Sequence, residues 1–180
     1  GISSSFVIMA QTMEPDNFKK IILVNPSDIN IIKEMPTKET KAAKTILEIP
    51  ILGTFIYNLI MHHKRIRNYI ESKYFFKKTF LSSKLEDTYF ESAHKGNSAG
   101  KYLLASTKGN YVNIDITNAV KKTDNLYIIS SRERNNAVAI TEKYLHLNKN
   151  IEATYISNSR YLPQLETPDK FKDIVLMFLQ

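Results

Sequence analysis

Two short runs of apolar residues, many of them β-branched, constrain the fold of this chain most. Residues 19–24 have the sequence KKIILV and end at Asn25-Pro26, and residues 126–130 have the sequence LYIIS and precede a polar stretch. A continuous apolar run of this length between turn signals is typical of a strand buried on both faces of a parallel sheet. Residues 151–156 (IEATYI) predict a third strand.

Helices are predicted beside these strands. Residues 5–13 form an apolar stretch of helical length that stops before Glu14-Pro15, residues 137–147 predict a second helix, and residues 168–179 predict an amphipathic helix at the C-terminus. Strands that alternate with helices indicate parallel β-α units. The sequence therefore predicts an α/β fold.

The segment between the first two strands is predicted to be a helical insertion. Its predicted helices begin at Ser27-Asp28 and Pro36-Thr37 and cover residues 54–73, 86–94 and 98–106, with Lys95-Gly96-Asn97 between the last two. Residues 112–120 (VNIDITNAV) fit either a strand or a short helix.

Composition excludes several classes of protein. The chain has 180 residues, 43% of them hydrophobic and 24% charged, as in an ordinary globular protein, and it has no Cys. The absence of Cys excludes a disulfide scaffold and any Cys-ligated metal site. The most apolar stretch, residues 46–61, falls short of the ~18 uninterrupted residues of a membrane span, and no signal peptide is evident. We therefore expect a cytoplasmic protein with no membrane partner and no cofactor.

The net charge of +7 permits binding to nucleic acid, but Lys accounts for 20 of the 25 basic residues. Arg recognises phosphates and bases more specifically than Lys does, and the sequence has no RNA-recognition, KH or zinc-finger motif. We interpret the charge as a solvated Lys-rich surface and expect no nucleic-acid partner.

The first five residues, Gly1-Ile2-Ser3-Ser4-Ser5, carry the clearest chemical motif. A serine with one small residue two positions before it and another two positions after it, followed by a helix, is the nucleophile-elbow pattern, in which a sharp turn presents the middle Ser. The alternative interpretation is a serine that caps the helix, or a leading Gly left by removal of a tag.

This motif and the order of elements behind it resemble the C-terminal part of the α/β-hydrolase fold, and the resemblance covers the whole chain. It implies an elbow, a helix and the family's sixth strand in residues 1–28, a helical cap in 29–124, and strands seven and eight with the C-terminal helices in 125–180. The segment LPQLETPDKF (162–171) is similar to the one that follows the family's catalytic histidine. Three segments also resemble an α/β-hydrolase subgroup of low-GC bacteria: NPSD (25–28), SAHKGN (92–97) and YLLASTKGNY (102–111).

The resemblance implies roles for individual residues. Ser3 would be the nucleophile, and the backbone N–H of Ser4 would belong to the oxyanion hole. Glu133 is the only carboxylate in SRERNN, after the seventh strand, where the family places the acid that orients its histidine. Asp28, after the sixth strand, is a second candidate for that acid.

The family's histidine aligns with Tyr161, whose unperturbed pKa of ~10 prevents it from acting as a neutral general base near pH 7. The resemblance thus implies a serine hydrolase for ester, amide or similar small acyl substrates that is incomplete or degenerate. The alternative is a non-catalytic module that binds a ligand or protein on the same scaffold. Among the four histidines, His94 in the cap is the one that we keep as a candidate base, and we see no metal site.

The length is short for this fold, which with a cap needs roughly 250 residues. We therefore expect the chain, which begins with Gly1, to be part of a longer domain whose sheet has residues 19–24 at its centre. Without its upstream neighbour this strand has an exposed apolar edge. We expect a homodimer through that edge, or pairing with a separate N-terminal segment.

Overall fold

The computed structural model describes all residues, 1–180, and contains a three-stranded sheet and eleven α-helices. The strands are β1 (Ile21–Val24), β2 (Leu126–Ser131) and β3 (Glu152–Ile156). The helices are α1 (Ser3–Met13), α2 (Ile29–Ile32), α3 (Lys38–Glu48), α4 (Pro50–Ile60), α5 (His63–Tyr69), α6 (Ser83–Ser98), α7 (Gly100–Lys108), α8 (Thr117–Lys122), α9 (Ala137–Leu147), α10 (Pro163–Glu166) and α11 (Pro168–Leu179).

The chain forms two compact units. The first contains Gly1–Lys33 and Ile114–Gln180, and the second contains Glu34–Asn113. The boundaries differ from those expected from the sequence, because residues 29–33 and 114–124 belong to the unit with the sheet and not to the insertion. The core residues Ile32, Ile116 and Val120 anchor these two segments to the first unit.

The sheet has the order β1-β2-β3, and both pairs are parallel. Leu23 pairs with Ile128, and Ile128 with Ala153, so the three strands end at one edge, which we call the carboxyl edge. All three predicted strands and the α/β fold class are confirmed. β2 is buried along its whole length, as its unbroken apolar run predicts.

Alternate residues of the strands face opposite sides of the sheet. Leu23 and Ile128 join a core with Ile8 of α1, Val120 of α8 and Tyr144 of α9. On the other side, Tyr127, Ile129 and Ile156 contact the apolar face of α11, formed by Phe171, Ile174, Val175 and Phe178. The amphipathic C-terminal helix is therefore confirmed, and it covers one side of the sheet.

Two local expectations are settled by the structure. The undecided segment 112–120 contains the start of α8 and no strand, because Ile116, Ala119 and Val120 lie on one helical face that packs into the core. The single helix predicted over residues 54–73 is wrong. The chain leaves helical geometry at Met61, and His62 caps α5 by accepting a hydrogen bond from the Lys64 N–H.

The regular elements of the second unit are all helices, joined by short loops. Thr37 and Thr40 form a capping box at the start of α3. At Gly53 of α4, a Cβ atom would lie 1.9 Å from the Leu47 carbonyl oxygen, so only glycine permits this approach to α3. No single helix has the length and hydropathy of a membrane span, although α3 and α4 together do across a 97° bend.

Candidate functional site

The first turn of α1 lies at the carboxyl edge, beside the end of β1. The Gly1 amino nitrogen donates a hydrogen bond of 2.8 Å to the Asn25 carbonyl oxygen, directly after β1. Ser3 is exposed, whereas Ser4 and Ser5 are buried. Ser3 is thus the serine of this turn whose hydroxyl is accessible to a ligand.

Ser4 is occupied within the same turn. Its backbone N–H donates to the Gly1 carbonyl oxygen at 3.1 Å, and its hydroxyl donates to the same oxygen at 2.7 Å. The N–H predicted to serve an oxyanion hole would have to leave this carbonyl before it could bind a substrate oxygen.

Glu133 follows β2, and its carboxylate binds the loop after β3. Its two oxygens accept hydrogen bonds from the backbone N–H groups of Asn158 at 2.9 Å and Ser159 at 3.2 Å. Hydrogen bonds to an ionised acceptor are stronger than neutral ones. Glu133 therefore fixes the loop that carries Tyr161.

Asp28 follows β1 and caps α2 by accepting the Asn30 N–H at 2.9 Å. Lys143 of α9 donates to both of its carboxylate oxygens, at 2.9 Å and 2.7 Å. Burial acts to raise the pKa of Asp28, but the bonds from Lys143 and Asn30 and the charges of Lys143 and Arg134 outweigh it and lower that pKa. Neither candidate acid is hydrogen-bonded to a histidine.

Asn25 connects the three loops of the carboxyl edge, and the sequence analysis missed it. The side chain donates to the Ser131 hydroxyl at 3.0 Å and to the Tyr161 carbonyl at 3.1 Å, and accepts the Ser131 N–H at 2.8 Å. The Ser131 hydroxyl in turn lies 2.9 Å from that of Ser159. The sequence signal at this position is Asn25-Pro26 at the end of a buried strand, which by itself predicts only a turn.

Arg134 is the second residue that the sequence analysis missed. It is 7% exposed, its Nη1 donates to the Pro26 carbonyl oxygen at 2.7 Å, and its guanidinium carbon lies 5.0 Å from the centre of the Tyr161 ring. Its Nε is buried and has no hydrogen-bond partner. The loops after β2 and β3 are thus joined by a guanidinium over a phenol ring, where the resemblance implied a carboxylate and an imidazole.

The histidines lie in other parts of the fold. His94 of the second unit has its Nδ1 2.9 Å from the Phe90 carbonyl oxygen, and its ring centre lies 4.2 Å from that of Phe90. His146 of α9 lines a groove of about 510 Å³ in the first unit, together with Lys33 and Leu147. No group of histidine, aspartate and glutamate side chains has the geometry of a metal site.

Comparison with solved structures identifies the fold. A serine hydrolase from Cycloclasticus zankles is 13% identical and superposes with a TM-score of 0.67 over 97% of this chain and 60% of its own. A 2-hydroxy-6-oxo-6-phenylhexa-2,4-dienoate hydrolase from Rhodococcus sp. strain RHA1 gives 14% identity and a TM-score of 0.68 over the same shares. A carboxylesterase structure from the thaumarchaeon Nitrososphaera gargenis is 15% identical and superposes with a TM-score of 0.61 over 99% of this chain and 62% of its own.

The chain therefore has the fold of the C-terminal part of an α/β-hydrolase, with a small parallel sheet and many helices. It spans about 60% of the length of these structures. No protein-family profile and no curated protein matches the sequence. At this identity the likeness establishes the fold, and the activity has to be argued from the site.

Proposed function

We propose that this chain is the C-terminal part of a serine hydrolase of the α/β-hydrolase type, which acts on an ester, amide or similar small acyl substrate. Ser3 is the nucleophile, and the Ser4 N–H contributes to the oxyanion hole. The structures with this fold that are described above are named as hydrolases or esterases, which supports the proposed class.

One observation carries the proposal. The only exposed serine of the first helical turn, Ser3, stands where a strand end, a turn and a helix meet at the carboxyl edge of a parallel sheet. Ligands of open α/β sheets bind outside the carboxyl ends of the strands. A nucleophile at this place can therefore meet a bound substrate.

The proposal requires a general base that Tyr161 does not supply near pH 7. Glu133 and Asp28 remain the proposed acids that would orient such a base, each after releasing part of its present hydrogen bonding. No histidine lies in the loops after β1, β2 or β3, so the base has to come from outside these loops.

A fluorophosphonate probe tests the role of Ser3. The natural full-length polypeptide should be labelled at Ser3, the Ser3→Ala variant should not, and Ser157→Ala, which removes another exposed serine, should be labelled as the wild type is. Circular dichroism confirms that each sample is folded. A folded wild type that stays unlabelled would refute the hydrolase proposal.

A second function is favoured by a different observation. Arg134 and Tyr161 pack together where a catalytic acid and base would meet, and neither side chain can accept a proton from Ser3 near pH 7. This contact favours a non-catalytic module that binds a ligand on the hydrolase scaffold. Under this alternative Ser3→Ala leaves ligand binding intact, and the wild type is not labelled by the probe.

A further inference from the structure

The helix α4 of the second unit presents apolar side chains at the surface. Ile51 is 87% exposed, and Phe55, one turn further along, is 61% exposed. Leu52 and Leu59 lie on the same face of the helix and are close to half exposed. We call these four residues the α4 patch. A contiguous apolar patch on a folded protein marks a surface that binds another molecule or a membrane.

The three polar side chains of α4 are hydrogen-bonded to α6 or α7. The bonds run from Lys101 Nζ to the Thr54 hydroxyl at 2.8 Å, from the Tyr57 hydroxyl to the Ala93 carbonyl oxygen at 2.6 Å, and from the Ser98 hydroxyl to the Asn58 carboxamide oxygen at 2.8 Å. A surface helix normally turns its polar side chains to water and its apolar stripe to the core. In α4 the polar groups are bonded to neighbouring helices instead, and the face that remains is apolar.

The second unit also carries almost all of the net charge of the chain. It contains 13 Lys and Arg and 7 Asp and Glu, which gives a net charge of +6 out of the total of +7. Residues 62–78, directly after α4, contain six Lys or Arg and one Glu. In this segment Lys64 and Arg65 are exposed, and so are the aromatic side chains of Tyr69 and Phe76. The apolar patch is therefore followed in the chain by exposed basic and aromatic groups.

We propose that the second unit binds the surface of an anionic lipid bilayer, with the α4 patch among the acyl chains and residues 62–78 at the headgroups. The sequence predicts no membrane partner because no segment is long enough to span a bilayer, but a helix that lies on a bilayer needs only one apolar face and nearby basic residues. Aromatic side chains are favoured at the same depth. A nucleic acid would bind the basic segment and leave the α4 patch in water.

Sedimentation of the natural full-length polypeptide with lipid vesicles tests the proposal. The protein should bind vesicles of equal parts phosphatidylcholine and phosphatidylglycerol more tightly than vesicles of phosphatidylcholine alone, and added salt should weaken the binding. Phe55→Gln should reduce the affinity about tenfold. Met177→Gln removes a side chain of similar exposure, 63%, from α11 of the first unit and should bind as the wild type does. Absence of binding, as expected if the rest of the polypeptide covers α4, or equal effects of the two variants would overturn the proposal.

A second pair of variants tests the contribution of charge. Lys64 and Lys149 are both exposed, but they belong to different units. Lys64→Gln should weaken binding to the anionic vesicles about fivefold, whereas Lys149→Gln should leave it unchanged. Equal losses in both variants would show that the overall charge, and not this surface, attracts the vesicles. Binding to a short duplex DNA that depends on Lys64 but not on Phe55, in a protein that does not bind vesicles, would identify nucleic acid as the partner and reject the lipid surface.

Discussion

Replacement of Asn25 by alanine tests the structure of the carboxyl edge most directly. Asn25 is 1% exposed and has a positive φ of 48°, and its side chain makes the three hydrogen bonds described above. Alanine leaves the buried Ser131 N–H without an acceptor, which costs about 1–3 kcal/mol, and removes two donor contacts of about 0.5–1.5 kcal/mol each. Alanine also tolerates the left-handed backbone less well than asparagine, which adds about 1 kcal/mol.

We therefore expect Asn25→Ala to lower the free energy of unfolding by about 3–7 kcal/mol, a large part of the 5–15 kcal/mol typical of a domain. Urea unfolding followed by far-UV circular dichroism measures the loss, because the chain has no Trp. Because the chain forms two units, hydrogen exchange at the backbone amides of β2 should be measured as well, and faster exchange there assigns the loss of stability to the first unit.

Two variants separate the contributions. Asn25→Gly tolerates the positive φ and should recover about 1 kcal/mol relative to Asn25→Ala. Asn125 also has a positive φ, of 53°, but it is exposed, so Asn125→Ala should cost only about 1 kcal/mol. If Asn25→Ala costs no more than Asn125→Ala, the hydrogen bonds of Asn25 do not hold the loops together.

Three further predictions concern the same unit. Lys143 and the Asn30 N–H lower the pKa of Asp28, so their bonds to the ionised Asp28 carboxylate stabilise the folded state above pH ~3.9. This stabilisation is lost as the pH falls through the folded-state pKa of Asp28. Lys143→Met should be less stable than the wild type at pH 7, and the difference in urea midpoint should shrink below pH ~4. Tyr144→Phe removes a bond of 2.9 Å from the hydroxyl to the Ser27 carbonyl, and should cost about 1–2 kcal/mol in thermal unfolding. We also propose that the open edge of β1 pairs with a second copy or with a separate N-terminal segment. Sedimentation velocity should show association that Ile22→Pro weakens, because the Ile22 N–H faces away from β2, and a monomer at every concentration would contradict pairing between copies.

The local elements were predictable because their signals are local. The apolar runs of β1 and β2 end at turn residues, and the capping residues Asp28 and Thr37 mark the starts of α2 and α3. The helix predicted over residues 54–73 failed at Met61, since hydrophobic spacing continues through a short break in the backbone that only the dihedral angles show. Helical periodicity therefore identified residues 54–73 as helical but did not show that they belong to more than one helix.

The sequence alone determined the fold class and the order of its elements, since residue spacing and turn residues act over a few positions. The nucleophile elbow expected at Ser3 stays a prediction, and in the structure Ser3 is the first residue of α1. Only the tertiary structure decided which groups meet at the carboxyl edge. Asn25 contacts Ser131 across 106 positions of sequence, and the Glu133 carboxylate binds backbone N–H groups 25 and 26 positions away. Such contacts depend on strand register and loop path, which bring Arg134, and not an acid, onto Tyr161.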